Sequence, residues 1–312
     1  MGYFSDTERA KYTIAWVCCE PFEHAAAECM LDKRHGSYRP PGPLHSQNAY
    51  YTLGEIGGRN VVIIFMANAV NQIGALATLF IDLEIFFPNI QVSMLVTIGR
   101  IPNEENGIRL GDVVISSLED RYGGIANVDR CADGADDSIG IVHQPLPRVQ
   151  QGDLLLGEAK NMISSNTAEM RPHEPEMVAE YASPGAENDL LFPSDCHHTT
   201  DAGRYCKDCY TSKAIARPAR KSTEPQIHFG TIGGRRDVVT NPVYRDGTKK
   251  DVGALAVQFG AEYMMDSLRP LVITGVAKYG DTHTHGRWRM YAAATAAACA
   301  KDLVLRFRIR PF

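Results

Sequence analysis

A lysine at the end of an apolar strand is the residue of this sequence best placed to do chemistry. Lys278 follows the run Leu271 to Ala277 and opens a polar stretch carrying Tyr279, Asp281, His283 and His285. Ionisable groups at strand ends are biased toward sites. A cation on the floor of a largely apolar pocket polarises a substrate carbonyl by hydrogen bonding, or forms a Schiff base if burial lowers its pKa. Glu23 is the second candidate, just after an apolar strand and Pro21, at the start of a helical stretch. A helix dipole alone also favours an acid there.

Other groups weigh less. His283 and His285 flank Thr284 without cysteine or acid at ligand spacing, a weak metal pattern, so no metal is assigned to the site. In DCHHTTDAGRYCKDC, Cys206 and Cys209 form a CxxC with Cys196, His197 and His198 upstream. Such spacing would let zinc staple a loop, a structural and not a catalytic role. GTIGGRRDVV, with Arg235 and Arg236, lacks both the Gly-Lys-Ser/Thr of a P-loop and the GxGxxG of a dinucleotide fold. No cofactor is called for.

Short runs rich in Val, Ile and Leu predict strands at Thr13–Val17, Val61–Met66, Val92–Ile98, Asp112–Ser116, Ile227–Gly230 and Leu271–Gly275. Helical patterns fall at Glu23–Asp32, Gln72–Phe86, Ala261–Leu268 and Trp288–Leu305. Alternation of near-continuous apolar strands with helices implies a mostly parallel sheet covered on both faces. Ligands of such sheets bind beyond the strand ends, where Glu23, Thr97 to Arg100 and Lys278 to His283 emerge. From about residue 119 to 224 Gly, Asp, Pro and Ser recur, predicting an irregular insertion with one helix near Asp153–Ser164, within a single domain over 1–312.

At 312 residues and 44% hydrophobic, the chain can bury a full core. A net charge of -5 gives no electrostatic reason for nucleic-acid or anionic-membrane binding. The N-terminus has no apolar signal region and no run is long enough to span a bilayer, so a cytoplasmic protein is expected. Eight cysteines in this length are too sparse for a disulfide framework.

Gly253 to Leu305 reads GALAVQFGAEYMMDSLRPLVITGVAKYGDTHTHGRWRMYAAATAAACAKDLVL. This resembles the nucleoside phosphorylase and nucleosidase superfamily, and its fungal branch in particular, where FEMEAAGLM is followed by a strand ending in RGICDYADSH and then KRWQGYAAATAAAYAKELL. Blocks at Tyr12–Leu31, Tyr50–Val70, Asn89–Ser116 and Ile227–Val239 match in the family's order. The resemblance implies a three-layer αβα sandwich around a mixed, mostly parallel sheet. It also implies an oligomer, a homodimer being expected. Glu23 falls on the acid that orients the water nucleophile in nucleosidases.

The departures fall on the chemistry. The acid of the family's "ME" pair, which grips the ribose hydroxyls, is Gly260 here, and the aspartate that serves the purine ring nitrogen is Lys278. The glycine-rich loop after the third block is Thr97, Ile98, Gly99, Arg100 and Ile101. A charged lysine accepts no hydrogen bond and repels positive charge developing on a sugar. Each lost group is worth ~10²-fold or more in rate. Glu262, two residues beyond Gly260, points to a different helical face.

The sequence therefore predicts a nucleosidase scaffold turned to other small-molecule chemistry. Scaffolds of this kind have been recruited in fungal secondary metabolism for cofactor-free pericyclic cyclisation of Diels-Alder type, in which a pocket folds an apolar substrate and polarises its carbonyl. Nothing else in the chain resembles an aldolase, which favours Lys278 as a non-covalent donor. The expected catalytic set is Lys278, Glu23 and Asp281. The expected substrate-binding set is Asn68, Thr97, Arg100, Arg235, Gln258, Gly260, Glu262, Tyr279 and His283. The alternatives are a surviving nucleosidase or phosphorylase, and a non-catalytic ligand-sensing module.

Overall fold

In the computed structural model the described residues are 4–40, 49–66, 79, 82–101, 107–117, 124–127, 141–142, 179–193, 195–196, 198, 211–235, 253–259, 270–281, 283 and 286–307. Three parallel strands form the spine: β1 (Ile14–Cys18) lies between β4 (Arg59–Met66) and β5 (Val92–Arg100). β1 is buried along its whole length, as a central parallel strand of β-branched and aromatic residues should be. β2 (Lys33–Tyr38) and β3 (Ala49–Ile56) extend the sheet beyond β4 by antiparallel pairing. Gly57 and Gly58, with φ of 55° and 76°, supply the left-handed tight turn between β3 and β4.

β5 is where the sheet divides. From Met94 to Arg100 it pairs in parallel with β12 (Leu271–Lys278), while Arg100 also meets Val257 of β11 (Ala256–Phe259) in antiparallel register. β12 leads to β6 (Val113–Ser116) and β9 (Ile227–Gly230). β11 leads through β10 (Ile232–Arg235) to β7 (Ile125–Asn127) and β8 (Ile141–Val142). The segment predicted as an irregular insertion contains β7 and, at the edge of the sheet beyond it, β8. Its predicted helix near Asp153–Ser164, like that at Ala261–Leu268, lies outside the described residues.

Apolar alternation along β5 fills both faces. Val92, Met94 and Val96 pack under the helices α2 (Pro21–Cys29) and α3 (Gly286–Arg306); α1 is the short turn Asp6–Arg9. Leu95 faces the opposite layer with Tyr51, Leu83, Phe86 and Phe87, the last three in and beside a helical stretch over 82–86. This is the three-layer αβα sandwich with a mixed, mostly parallel sheet. The alanines of α3 let it sit close on β12, and a Cβ on Gly275 would overlap the Ala292 carbonyl. Because α3 returns antiparallel to β12, and α2 follows β1 directly, both helix N-termini stand at the C-terminal ends of the parallel strands.

Candidate functional site

Glu23 sits in the first turn of α2, where Pro21 fixes the backbone, and its side chain is buried. One carboxylate oxygen accepts from the amides of Cys19 (2.9 Å) and Glu20 (3.0 Å), closing the β1–α2 turn. The other accepts from the Thr97 hydroxyl (2.7 Å) and the Ile98 amide (2.8 Å), tying that turn to β5. Burial outweighs these four donors and pushes the acid up to about 7. Glu23 is therefore both a clasp between elements and a group able to change protonation near neutral pH.

Lys278 ends β12 and is the register partner of Arg100, beyond a shift in the ladder, and the Ile101 amide donates to the Lys278 carbonyl at 3.0 Å. Arg100 is lowered to about 10, first by burial and then by the like charge of Arg289, with Asp281 opposing both. Arg289 stands in the first turn of α3 with its guanidinium 4.9 Å from the Phe22 ring centre. Arg100 and Arg289 thus stand near each other with Asp281 close by, and Lys278 ends the strand paired with Arg100, beside the N-termini of two helices. Arg289 was not among the residues expected from the sequence. Its signal was present: it occupies the position that KRWQGYAAAT fills with glutamine.

Asp281 and His283 continue the loop. The His283 amide donates to Asp281 Oδ1 (3.0 Å), the imidazole stacks on Phe192 with centroids 3.9 Å apart, and its Nε2 lies 3.1 Å from the Cys196 carbonyl. His198 meets the same imidazole edge-on. The segment around Phe192 therefore fixes His283 by packing. Tyr279 is fixed too: its hydroxyl bonds the Asp189 carboxylate and accepts from Arg217 (2.7 Å), whose guanidinium lies over its ring. Asp189 also pairs with Arg109, and nearby Asp112 takes Arg220 (2.7 Å) and His228 (3.0 Å). This polar knot fastens residues 179–193 and 211–226 to the end of β12.

Gln258, on β11, is buried beside Gly99 and Thr274. The backbone of Arg235 lies in β10, two strands away from β5. Asn68, Gly260 and Glu262 lie outside the described residues, as do Cys206 and Cys209. Among the described residues no three His, Cys, Asp or Glu side chains come together as a metal site, and no helix is long and apolar enough to cross a membrane.

No protein-family profile matches the chain. Among curated proteins, a nucleotide-binding leucine-rich repeat (NLR)-like protein of Hyaloscypha variabilis is 31% identical over 303 residues, covering 94% of this chain. The chain spans 29% of that relative's length. Among solved structures, the MTA/SAH nucleosidase of Streptococcus pneumoniae in complex with 8-aminoadenine superposes with a TM-score of 0.54 and 15% identity, over 94% of this chain and 99% of the other. Futalosine hydrolase of Helicobacter pylori gives a TM-score of 0.52 with 9% identity, over 94% and 97%. The strand order, the helices on both faces and these superpositions lead to one conclusion: the chain has the fold of the nucleoside phosphorylase and nucleosidase superfamily.

Proposed function

We propose that this chain is a ligand-binding module that holds a nucleoside phosphate, through its charge and its base, without cleaving it. The observation that carries this reading is the approach of Arg100 and Arg289 at the strand ends, where Lys278 closes the strand paired with Arg100 and the N-termini of α2 and α3 add to the same field. A departing base needs a carboxylate at the position of Lys278, and a lysine there binds anions and opposes an oxocarbenium-like centre. The fold supports a nucleoside-sized ligand. The much longer NLR-like relative supports a module within a larger protein over a free-standing hydrolase. Residues 1–312 act here as one domain, and we expect it to pair as a homodimer.

Titration calorimetry with AMP, IMP and their unphosphorylated nucleosides tests this. The phosphates should bind more tightly, with affinity falling as salt rises. Equal binding of adenosine and AMP would remove the role of the cations. A second reading, cyclisation of a carbonyl-bearing apolar substrate, is favoured by Lys278 as a donor at a strand end. Borohydride trapping of a substrate on Lys278 would replace its non-covalent form with Schiff-base chemistry.

A further inference from the structure

Gln258 is 4% exposed, and among the described residues neither nitrogen nor oxygen of its carboxamide has a hydrogen-bond partner. The hydroxyl of Thr274, which is fully buried, likewise has no partner among the described residues. The two lie together: a Cβ built on Gly99 would collide with the Thr274 methyl and come within 3.4 Å of Gln258 Cβ. By strand alternation Thr97, Gly99 and Thr274 share one face, with Leu95, Val272 and Val276 on the same side. Thr97, one step further down β5, binds Glu23. A donor, an acceptor and a hydroxyl are therefore buried unpaired beside the clasp of the candidate site. Burying such atoms unpaired costs about 1–3 kcal/mol each, so folding alone does not explain them.

We propose that Gln258, with Thr274 beside it, is the specificity element of the site and reads the edge of a planar heterocycle carrying adjacent hydrogen-bond donor and acceptor atoms. A carboxamide offers one donor and one acceptor in a plane, the complement of a purine's amidine or lactam edge. The quoted fungal motif has a carboxylate at this position, FEME against VQFG, and an ionised carboxylate only accepts. This deepens, and rests on, the reading of the site as one for a nucleoside phosphate.

The test uses uncharged and base-free probes separately. Calorimetry should show saturable binding of adenine or hypoxanthine to the wild-type chain, weakened about tenfold or more by Gln258→Met, which keeps side-chain length but bonds to nothing. Without ligand, the methionine variant should melt no lower than wild type, since it removes two unpaired buried atoms. Failure of both bases to bind, unchanged base binding in the variant, or a lower melting temperature would each overturn the assignment. The last result would mean that the amide is structurally bonded. Inorganic pyrophosphate reports on the cations alone: if it fails to bind while the bases bind through Gln258, the charge-based reading of the site fails and this one stands.

Discussion

At the scale of single residues, the proposed reading turns on Lys278, which the resemblance places where ribosyl chemistry wants an aspartate. Lys278→Met, close in shape but uncharged, should weaken AMP binding about tenfold or more, whereas Lys278→Arg should retain much of it. Calorimetry on the two variants checks this, and equal affinities for methionine and wild type would make Lys278 a bystander. Glu23 gives a second prediction. Its acid is raised from 4.5 to about 7, so the folded state holds this proton more tightly than the unfolded chain. The resulting stabilisation is full below pH 4.5 and lost as pH rises through about 7, a swing on the order of 3 kcal/mol. Urea unfolding from pH 4.5 to 8 should show this slope, and Glu23→Gln should flatten it while lowering stability near neutrality, because an amide nitrogen must then face backbone donors. A variant with the wild-type slope would assign the pH dependence to other groups.

At the scale of elements, the site depends on how α3 and the polar knot hold β12. Gly275→Ala should cost roughly 1–3 kcal/mol, since the Ala292 backbone cannot move without lifting the helix that carries Arg289. The denaturant midpoint measures it, and an unshifted midpoint would show that the helix can yield. The strands at 14–18, 59–66, 92–100 and 271–278 were legible because continuous apolar runs can only be buried parallel strands or core helices, and their lengths favour strands. The β2–β3 ribbon was not recognised, because β2 (KRHGSY) is polar and half exposed and takes its strand character from pairing alone. β10 and β11 were missed for a similar reason: IGGR and AVQF are too short to show a period. In the site, Glu23 with Thr97 and Lys278 with Arg100 were readable as residues emerging at strand ends. The knot around Tyr279 was not, because Asp189, Arg217 and Tyr279 are far apart in the chain and only the fold brings them together.

At the scale of the whole molecule, the net charge is -5, whereas Arg100 and Arg289 stand together at the strand ends with Asp281 beside them. On the proposed reading, that pair of arginines serves the capture of a small anion. The chain shares the nucleosidase fold at 9% to 15% sequence identity. The central claim is that the bound nucleotide stays whole, and one experiment tests it most directly: equilibrate the protein with AMP, measure bound ligand by calorimetry, and analyse the same samples for free adenine. We predict saturable binding with AMP recovered intact and only trace adenine. Adenine appearing at ordinary enzyme turnover, on the order of 1 s⁻¹ or faster, would contradict the account and restore the chain to the hydrolases whose fold it shares.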